Sequence, residues 1–286
     1  MGLGRERTSM RDILEAVAAG DLDPAVAEAR LSGYATTGAG RFDAARETRR
    51  GVPEAILAEG KTPDEAATLA AAAVQSTGRA VLTRATDAHA DAVADALDET
   101  TTLDRDRRAR TLVARAPDFE RPTLDATVGL VTGGTSDAEA AGEAAVILEA
   151  MGATVTRAED VGVAHLGRVL DHLDALRAAD VLVVAAGREG ALPTVVAGLV
   201  DTPVIGLPVS TGYGHGGAGE AALAGMLQSC TVISTVNVDA GFVAGAQAGL
   251  IARAVSGARA ATEGGGDATD ERAEDGESDR NDAGER

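Results

Sequence analysis

Between residues 126 and 255 the chain alternates short apolar, β-branched runs with helical stretches, and no other feature constrains its fold as strongly. Residues 127–132 form a β-rich run, followed by a glycine turn and a helix over 136–151 that Gly152 stops. Further strands are predicted at 154–157, 181–185, 203–207 and 231–238, with helices at 169–179, 192–200, 220–228 and 241–255. Apolar strands alternating with helices predict an α/β fold: a doubly wound, mostly parallel sheet covered on both faces. Ligands of such sheets sit beyond the carboxyl ends of the strands, so function is sought in the strand-end loops.

The rest of the chain reads differently. Residues 1–118 are expected to be helix-rich, with helical patterns at 10–19 and 24–31 and one strand-like run at 80–83. Residues 119–257 make the α/β domain. Residues 258–286 hold Gly, Asp, Glu, Arg and Ser with almost no large apolar side chain, and are expected to be a disordered acidic tail. Aromatic residues are 2% of the chain and Trp is absent, so the core must be built from Ala, Val and Leu.

The formal charge is −19, and Lys61 is the one lysine among otherwise arginine cations. Dense surface carboxylates with this composition suggest adaptation to high salt. They argue against a nucleic-acid or membrane partner, which needs basic patches. The most apolar run, 181–200, is broken by Arg188, Glu189 and Pro193 and is no membrane span. With no secretory signal pattern at the start, a cytoplasmic location is expected.

Several strand-end loops carry candidate ligand groups. In Gly133-Gly134-Thr135-Ser136-Asp137, backbone amides and the following helix N-terminus suit a phosphate, although a plain capped turn has the same look. Gly187-Arg188-Glu189-Gly190 sets a charged pair between glycines directly after a buried strand, and Glu189 is placed to act as a base or to align a substrate. The run 208–217, with Ser210, Gly212 and Tyr213, is too glycine-rich for a regular element, as ligand-covering loops are. Asn237 and Asp239 stand at the end of the last strand, where Asp239 also suits a helix cap. Cys230 lies between a helix and a strand, at the other end of that strand from these loops. A lone cysteine there reads more readily as a small buried apolar side chain than as a nucleophile, because a helix C-terminus disfavours a thiolate. The four histidines lack metal-ligand spacing, so no metal residues are assigned.

Taken together, the motifs resemble known families. Gly134-Thr135-Ser136-Asp137, the Ala-Gly-x-x-Gly-Ala-Leu-Pro run ending at Pro193, and Pro203-Val204-Ile205-Gly206-Leu207-Pro208-Val209 are similar to the PurE family of aminoimidazole ribonucleotide carboxylases and mutases. A closer resemblance is to the LarB family of nickel-pincer cofactor biosynthesis proteins, whose PurE-like, flavodoxin-like domain follows an N-terminal extension. It is carried by Arg41-Phe42-Asp43 with Arg46, Arg50-Gly51-Val52-Pro53-Glu54, Glu59-Gly60-Lys61-Thr62-Pro63 and Thr83-Arg84-Ala85. Asp160-Val161-Gly162-Val163-Ala164, Gly212-Tyr213-Gly214, Met226-Leu227-Gln228-Ser229-Cys230 and Asn237-Val238-Asp239-Ala240-Gly241-Phe242 extend it.

The resemblance implies an activity. LarB-type synthases carboxylate the pyridinium ring of nicotinic acid adenine dinucleotide at C5 with CO2 or bicarbonate, and hydrolyse its phosphoanhydride. Pyridinium-3,5-biscarboxylic acid mononucleotide and AMP result. Carried over by motif, Cys230 is the nucleophile that adds to the ring and Glu189 positions CO2 or acts near the C5 proton. The 133–137 loop and Arg168 hold anionic groups, and Gly187, Gly190, Ser210, Gly212, Tyr213, Asn237 and Asp239 line the substrate. No tightly bound cofactor is expected; a divalent ion is compatible with the sequence but not indicated by it. A homo-oligomer is expected. One departure stands out: the family reads Ala-Gly-Ile-His-Arg where this chain has Ala164-His165-Leu166-Gly167-Arg168, so the family histidine falls on Gly167. The alternatives are a purine-pathway carboxylase or mutase and a non-catalytic nucleotide-binding protein on the same fold.

Overall fold

The computed structural model describes residues 10–265. The N-terminal part contains helices α1 (Met10–Ala19) and α2 (Pro24–Ser32), then the hairpin β1 (Ala35–Thr37) and β2 (Gly40–Phe42). After α3 (Arg46–Arg50) come β3 (Ile56–Leu57), α4 (Pro63–Thr77), β4 (Arg79–Thr83), α5 (Asp87–Ala96), β5 (Thr102–Asp106) and β6 (Thr111–Arg115). These last strands form a four-stranded sheet in the order β3-β4-β6-β5. The region is helix-rich, and its helices rest on a sheet that only the 80–83 run announced: α4 and α5 pack on one face through Ala66, Ala70, Ala73 and Val93. The β5–β6 turn escaped notice because it lacks glycine. Asp106 Oδ1 instead accepts from the Arg108 and Ala109 amides at 2.8 and 2.9 Å, closing the turn locally.

The second domain follows the predicted alternation. Its elements are β7 (Thr127–Thr132), α6 (Ala138–Met151), β8 (Thr154–Ala158), α7 (Gly167–Leu170), α8 (Leu173–Arg177), β9 (Val181–Ala186), α9 (Ala191–Ala197), β10 (Val204–Pro208), α10 (Glu220–Leu227), β11 (Ser234–Thr235) and α11 (Gly241–Gly265). All pairings in this sheet are parallel and its order is β11-β10-β9-β7-β8. That is the flavodoxin-like arrangement, whose strand order reverses between the first and third strands, here β7 and β9. Helices α6 and α11 cover one face, with Ala244, Ala248 and Ala252 of α11 in the core. On the other face, α8, α9 and α10 pack through Leu176, Leu192, Val196 and Met226.

Helix α6 explains its own composition. One side packs on the α/β sheet, and the other meets the free face of the N-terminal sheet through Val146, Ile147 and Met151 against Val52, Val81 and Val113. A helix buried on both sides must be apolar or small nearly all round. Each fully buried Val, Ile or Leu contributes about 1.5–3 kcal/mol, so this seam fixes the two domains together. Gly142 sets its closest approach: a Cβ there would fall 2.2 Å from the Ala109 Cβ.

Three further expectations change. The predicted strand at 231–238 pairs only over Ser234–Thr235, because β11 is the sheet edge and has one neighbour. The single helix at 169–179 is two short helices broken at Asp171–His172. The tail begins later than residue 258, since α11 runs to Gly265 with Arg259 bonded to Asp180 at 2.6 Å; the remaining tail lies outside the described residues.

Candidate active site

The ends of β7 and β9 meet at the reversal point. Gly133 N donates to the Ala185 carbonyl at 3.0 Å. A Cβ on Gly162 would come 2.6 Å from the Gly133 carbonyl, so the loop after β8 closes on the same spot. Asp137 is buried beneath the loop, and its Oδ2 accepts from Gly134 N at 2.8 Å. Burial raises the Asp137 pKa, against the lowering pull of donors from Gly134, Gly133, Ser136 and Thr211. Thr135 and Ser136 remain exposed at the tip.

The loops after β9 and β10 lie against each other. Gly187 faces the Gly212 amide, and a Cβ on Gly212 would sit 2.7 Å from the Arg188 amide. Gly190 (φ 69°) backs onto the Ala222 carbonyl, which leaves no room for a side chain. The Arg188 guanidinium stacks 4.3 Å from the centre of the exposed Tyr213 ring. Ser210 N donates to Asp239 Oδ1 at 2.9 Å, which joins this loop to the one after β11. Asn237 spends its side-chain oxygen on the Val238 amide at 2.9 Å. Arg168 is exposed and pairs with Asp160 at 3.2 Å. The His165 ring lies over Gly167: a Cβ there would be 2.6 Å from His165 Cε1. His165 thus fills the space that a side chain at position 167 would take.

Glu189 and Cys230 are both exposed and belong to one layer of helices. Glu189 stands just ahead of α9, and Gly225 of α10 packs on its carbonyl. The loop of Cys230 is held lower on α9, where Thr194 Oγ1 donates to Ser229 Oγ at 2.9 Å. Five residues along a helix correspond to about 7–8 Å, so Cys230 flanks α9 one to two turns below Glu189. Cys230 precedes β11, at the end of that strand opposite the strand-end loops, and the neighbouring Thr231 reaches Gly198 at the close of α9. The strand-end loops are brought together; Cys230 is not among them.

The sequence reading missed what the N-terminal domain brings. Arg84, after β4, pairs with Glu59 at 2.9 Å and with the buried Glu143 of α6 at 3.6 Å, and donates to the Asp239 carbonyl at 2.8 Å. Its pKa is raised, first by the hydrogen bond to Glu59, with burial opposing. Arg108 donates to the Thr135 carbonyl at 2.8 Å, and Arg110 pairs with Glu139 at 3.0 Å. Arg84, Arg110, Asp160, Arg188, Ala218 and Asp239 are the non-glycine residues with positive φ among the described residues. All stand in turns flanking strands or leading into α10, and left-handed backbone costs a non-glycine residue about 1–2 kcal/mol. Arg84 could have been flagged only by its place in the Thr83-Arg84-Ala85 motif; nothing local marks its conformation.

Between the domains lies a cavity of about 170 Å³ lined by Glu59, Arg84, Glu143, Ser136, Ser210 and Asp239. A second, of about 270 Å³, is lined by Arg46, Leu57, Phe242 and Val243, and shares Arg84 and Glu143 with the first. Among the described residues no group of three or more His, Cys, Asp or Glu is arranged to hold a metal ion. No helix there is long and apolar enough to cross a membrane.

An open parallel sheet with its strand-end loops gathered at a reversal point, capped by a second small domain, is the framework of an α/β ligand-binding enzyme. Comparison with known proteins makes this specific. Residues 34–116 match the LarB/PurE-like N-terminal domain and residues 127–263 match AIR carboxylase. An uncharacterized protein of Methanocaldococcus jannaschii is 37% identical over 247 residues, covering 83% of this chain and 94% of that protein. A crystal structure of a substituted Treponema denticola PurE2 is similar at 22% identity and a TM-score of 0.35, covering 50% of this chain and 98% of that one. The chain belongs to the LarB-like family, with a PurE-like C-terminal domain of the carboxylase type.

Proposed function

We propose that this protein carboxylates the pyridinium ring of nicotinic acid adenine dinucleotide and hydrolyses its phosphoanhydride, releasing AMP and pyridinium-3,5-biscarboxylic acid mononucleotide. The observation that carries this reading is the docking of a LarB-type domain, through Arg84 and Arg108, onto the loops of an AIR-carboxylase-type domain. That clamp adds a cleft beside the 133–137 loop, and a substrate with two nucleotide halves uses space on both sides of that loop. A purine-type mutase reading leaves both the clamp and Cys230 without a role.

The chemistry follows from the ring. A pyridinium is electron-poor and does not attack CO2. Addition of the Cys230 thiolate at C4 forms a C–S bond and converts the ring to an enamine, whose C5 attacks CO2. Glu189 takes the C5 proton, the C–S bond breaks, and the aromatic ring returns with a new carboxylate. Water then opens the anhydride. The amides of the exposed Thr135 and Ser136, ahead of α6, receive a phosphate.

This step needs Cys230 near Glu189, and a second copy of the chain supplies the enclosure. The edge strand β11 is unpaired on its outer side, and Leu227 and Val232, flanking Cys230, are 67% and 96% exposed. Exposed apolar side chains on a bare sheet edge favour a partner. Cys230→Ser and Glu189→Gln, each with unchanged circular dichroism, are expected to abolish AMP release from nicotinic acid adenine dinucleotide and bicarbonate. Full release by Cys230→Ser, or turnover of aminoimidazole ribonucleotide instead, overturns the reading.

A further inference from the structure

We infer that His89 is a positioning residue: its ring staples together the two loops of the N-terminal domain that carry Glu59 and Arg84 to the domain boundary. His89 is buried, the third residue of α5, and lines neither of the boundary cavities. Both of its ring nitrogens are engaged. The Thr86 amide lies 3.0 Å from Nδ1 and can only donate, so Nδ1 is the acceptor. The ring proton is therefore on Nε2, which donates to the Lys61 carbonyl at 2.9 Å. Comparison with α4 shows that capping alone does not call for a histidine. Both helices open on a capping box, in which the threonine before the helix and the third helical residue bond each other's amides. In α4 that third residue is the exposed Glu65, whose Oε2 accepts from the Thr62 amide at 2.8 Å. A carboxylate performs this task but has no proton for a second partner. In α5 the same position holds a side chain with an acceptor on one side and a donor on the other, and the donor reaches a different loop.

The position of that second bond gives it its effect. β3 and β4 are parallel neighbours, and the loops after them leave the sheet side by side, with Ala58 N donating to the Thr83 carbonyl at 2.9 Å. Glu59 stands two residues before Lys61, Arg84 stands two before Thr86, and the two side chains pair at 2.9 Å. His89 closes this into a ring: the ion pair joins the loops on the boundary side, and the imidazole joins Thr86 to Lys61 behind it. A surface ion pair by itself imposes little order. Arg84 also holds a left-handed φ of 54°, and such backbone persists only where its surroundings over-determine it. The staple supplies that determination and holds Arg84 for its bond to the Asp239 carbonyl. That the boundary held in this way receives the dinucleotide rests on the function proposed above.

Three variants of the full chain separate the staple from the cap. His89→Gln keeps an acceptor for the Thr86 amide and an N–H for the Lys61 carbonyl. His89→Glu and the shorter His89→Asn keep the cap and lose the link. The amides of Ala58, Lys61 and Ala85 are hydrogen-bonded within the two loops, and their hydrogen exchange reads the staple directly. Exchange is expected to stay near wild type in His89→Gln and to quicken roughly three- to tenfold in the other two, the weight of one hydrogen bond. KM for the dinucleotide is expected to rise by a similar factor in those two with kcat nearly unchanged, and to return in His89→Gln. Thermal unfolding checks each fold, and the uncharged His89→Asn carries the test if a buried carboxylate unfolds His89→Glu. Equal exchange in wild type and variants, or a KM that does not follow the exchange, overturns the role of His89. A wild type that does not turn over the dinucleotide overturns the proposed reaction alone, and the exchange pattern then decides on His89.

Discussion

Arg84 of the N-terminal domain donates a 2.8 Å hydrogen bond to the carbonyl of Asp239 in the α/β domain, and both residues hold a left-handed φ of 54°. Two strained turns thus lock onto each other across the cleft. Arg84 also neutralises Glu143, whose side chain is almost fully buried. Arg84→Ala is expected to destabilise the protein by about 2–3 kcal/mol, the cost of stranding a buried carboxylate. Pairing it with Glu143→Leu is expected to recover much of that loss. Chemical denaturation of the two variants decides; a double variant no more stable than the single contradicts the account.

The Gly142–Ala109 contact is the second seam. Gly142→Ala places a Cβ 2.2 Å from the Ala109 Cβ, so the domains must part or the hairpin must shift. A loss of about 1–3 kcal/mol is expected, with faster hydrogen exchange over β5 and β6. Ala109→Gly in the same chain should restore both. Exchange rates unchanged in Gly142→Ala would show that the seam is looser than drawn.

Asp137 gives a pH signature. Its folded pKa is raised by burial, so the native state disfavours its charge. A raised folded pKa gives stability that is present below the unfolded carboxylate pKa and lost as pH rises through the folded value. Asp137→Asn cannot titrate. The stability difference between wild type and this variant should therefore move in favour of the wild type as the solution is acidified from neutral. Thermal midpoints of both proteins across that range measure it, and a difference independent of pH refutes it.

Asp180 behaves oppositely. Burial pushes its pKa up, but the Arg259 hydrogen bond and the Thr127 amide outweigh it, and the net shift is down. A depressed pKa gives stability that is present above the unfolded value and lost as pH falls through the folded one. Arg259→Ala should therefore lower the thermal midpoint at neutral pH, with the deficit shrinking in acid. A chain ending at residue 257 should show the same deficit, since it removes Arg259 with the end of α11.

The strands β7, β9 and β10 were legible in the sequence because each is a continuous apolar run with a turn signal at its end. Gly187, Gly190 and Gly212 were read as glycines lining a substrate; that each also sits where backbone comes close became visible only in the structure. The hairpin β5–β6 was not, because β5 has a single apolar residue, Leu103, ahead of three consecutive charges, and Arg110 takes positive φ without being glycine. The run 231–238 was over-read, since β-propensity extends past what an edge strand with one neighbour can pair. The interdomain cleft was invisible for a deeper reason: Glu59, Arg84, Glu143 and Asp239 are scattered over 180 positions and meet only through tertiary packing.

The central claim concerns one reaction. Purified protein at high salt is incubated with nicotinic acid adenine dinucleotide and 13C-labelled bicarbonate, and the products are read by mass spectrometry. The account predicts AMP together with a dicarboxylated pyridinium mononucleotide bearing the label on its new carboxylate. Unchanged dinucleotide, or AMP released with unlabelled nicotinic acid mononucleotide, contradicts it.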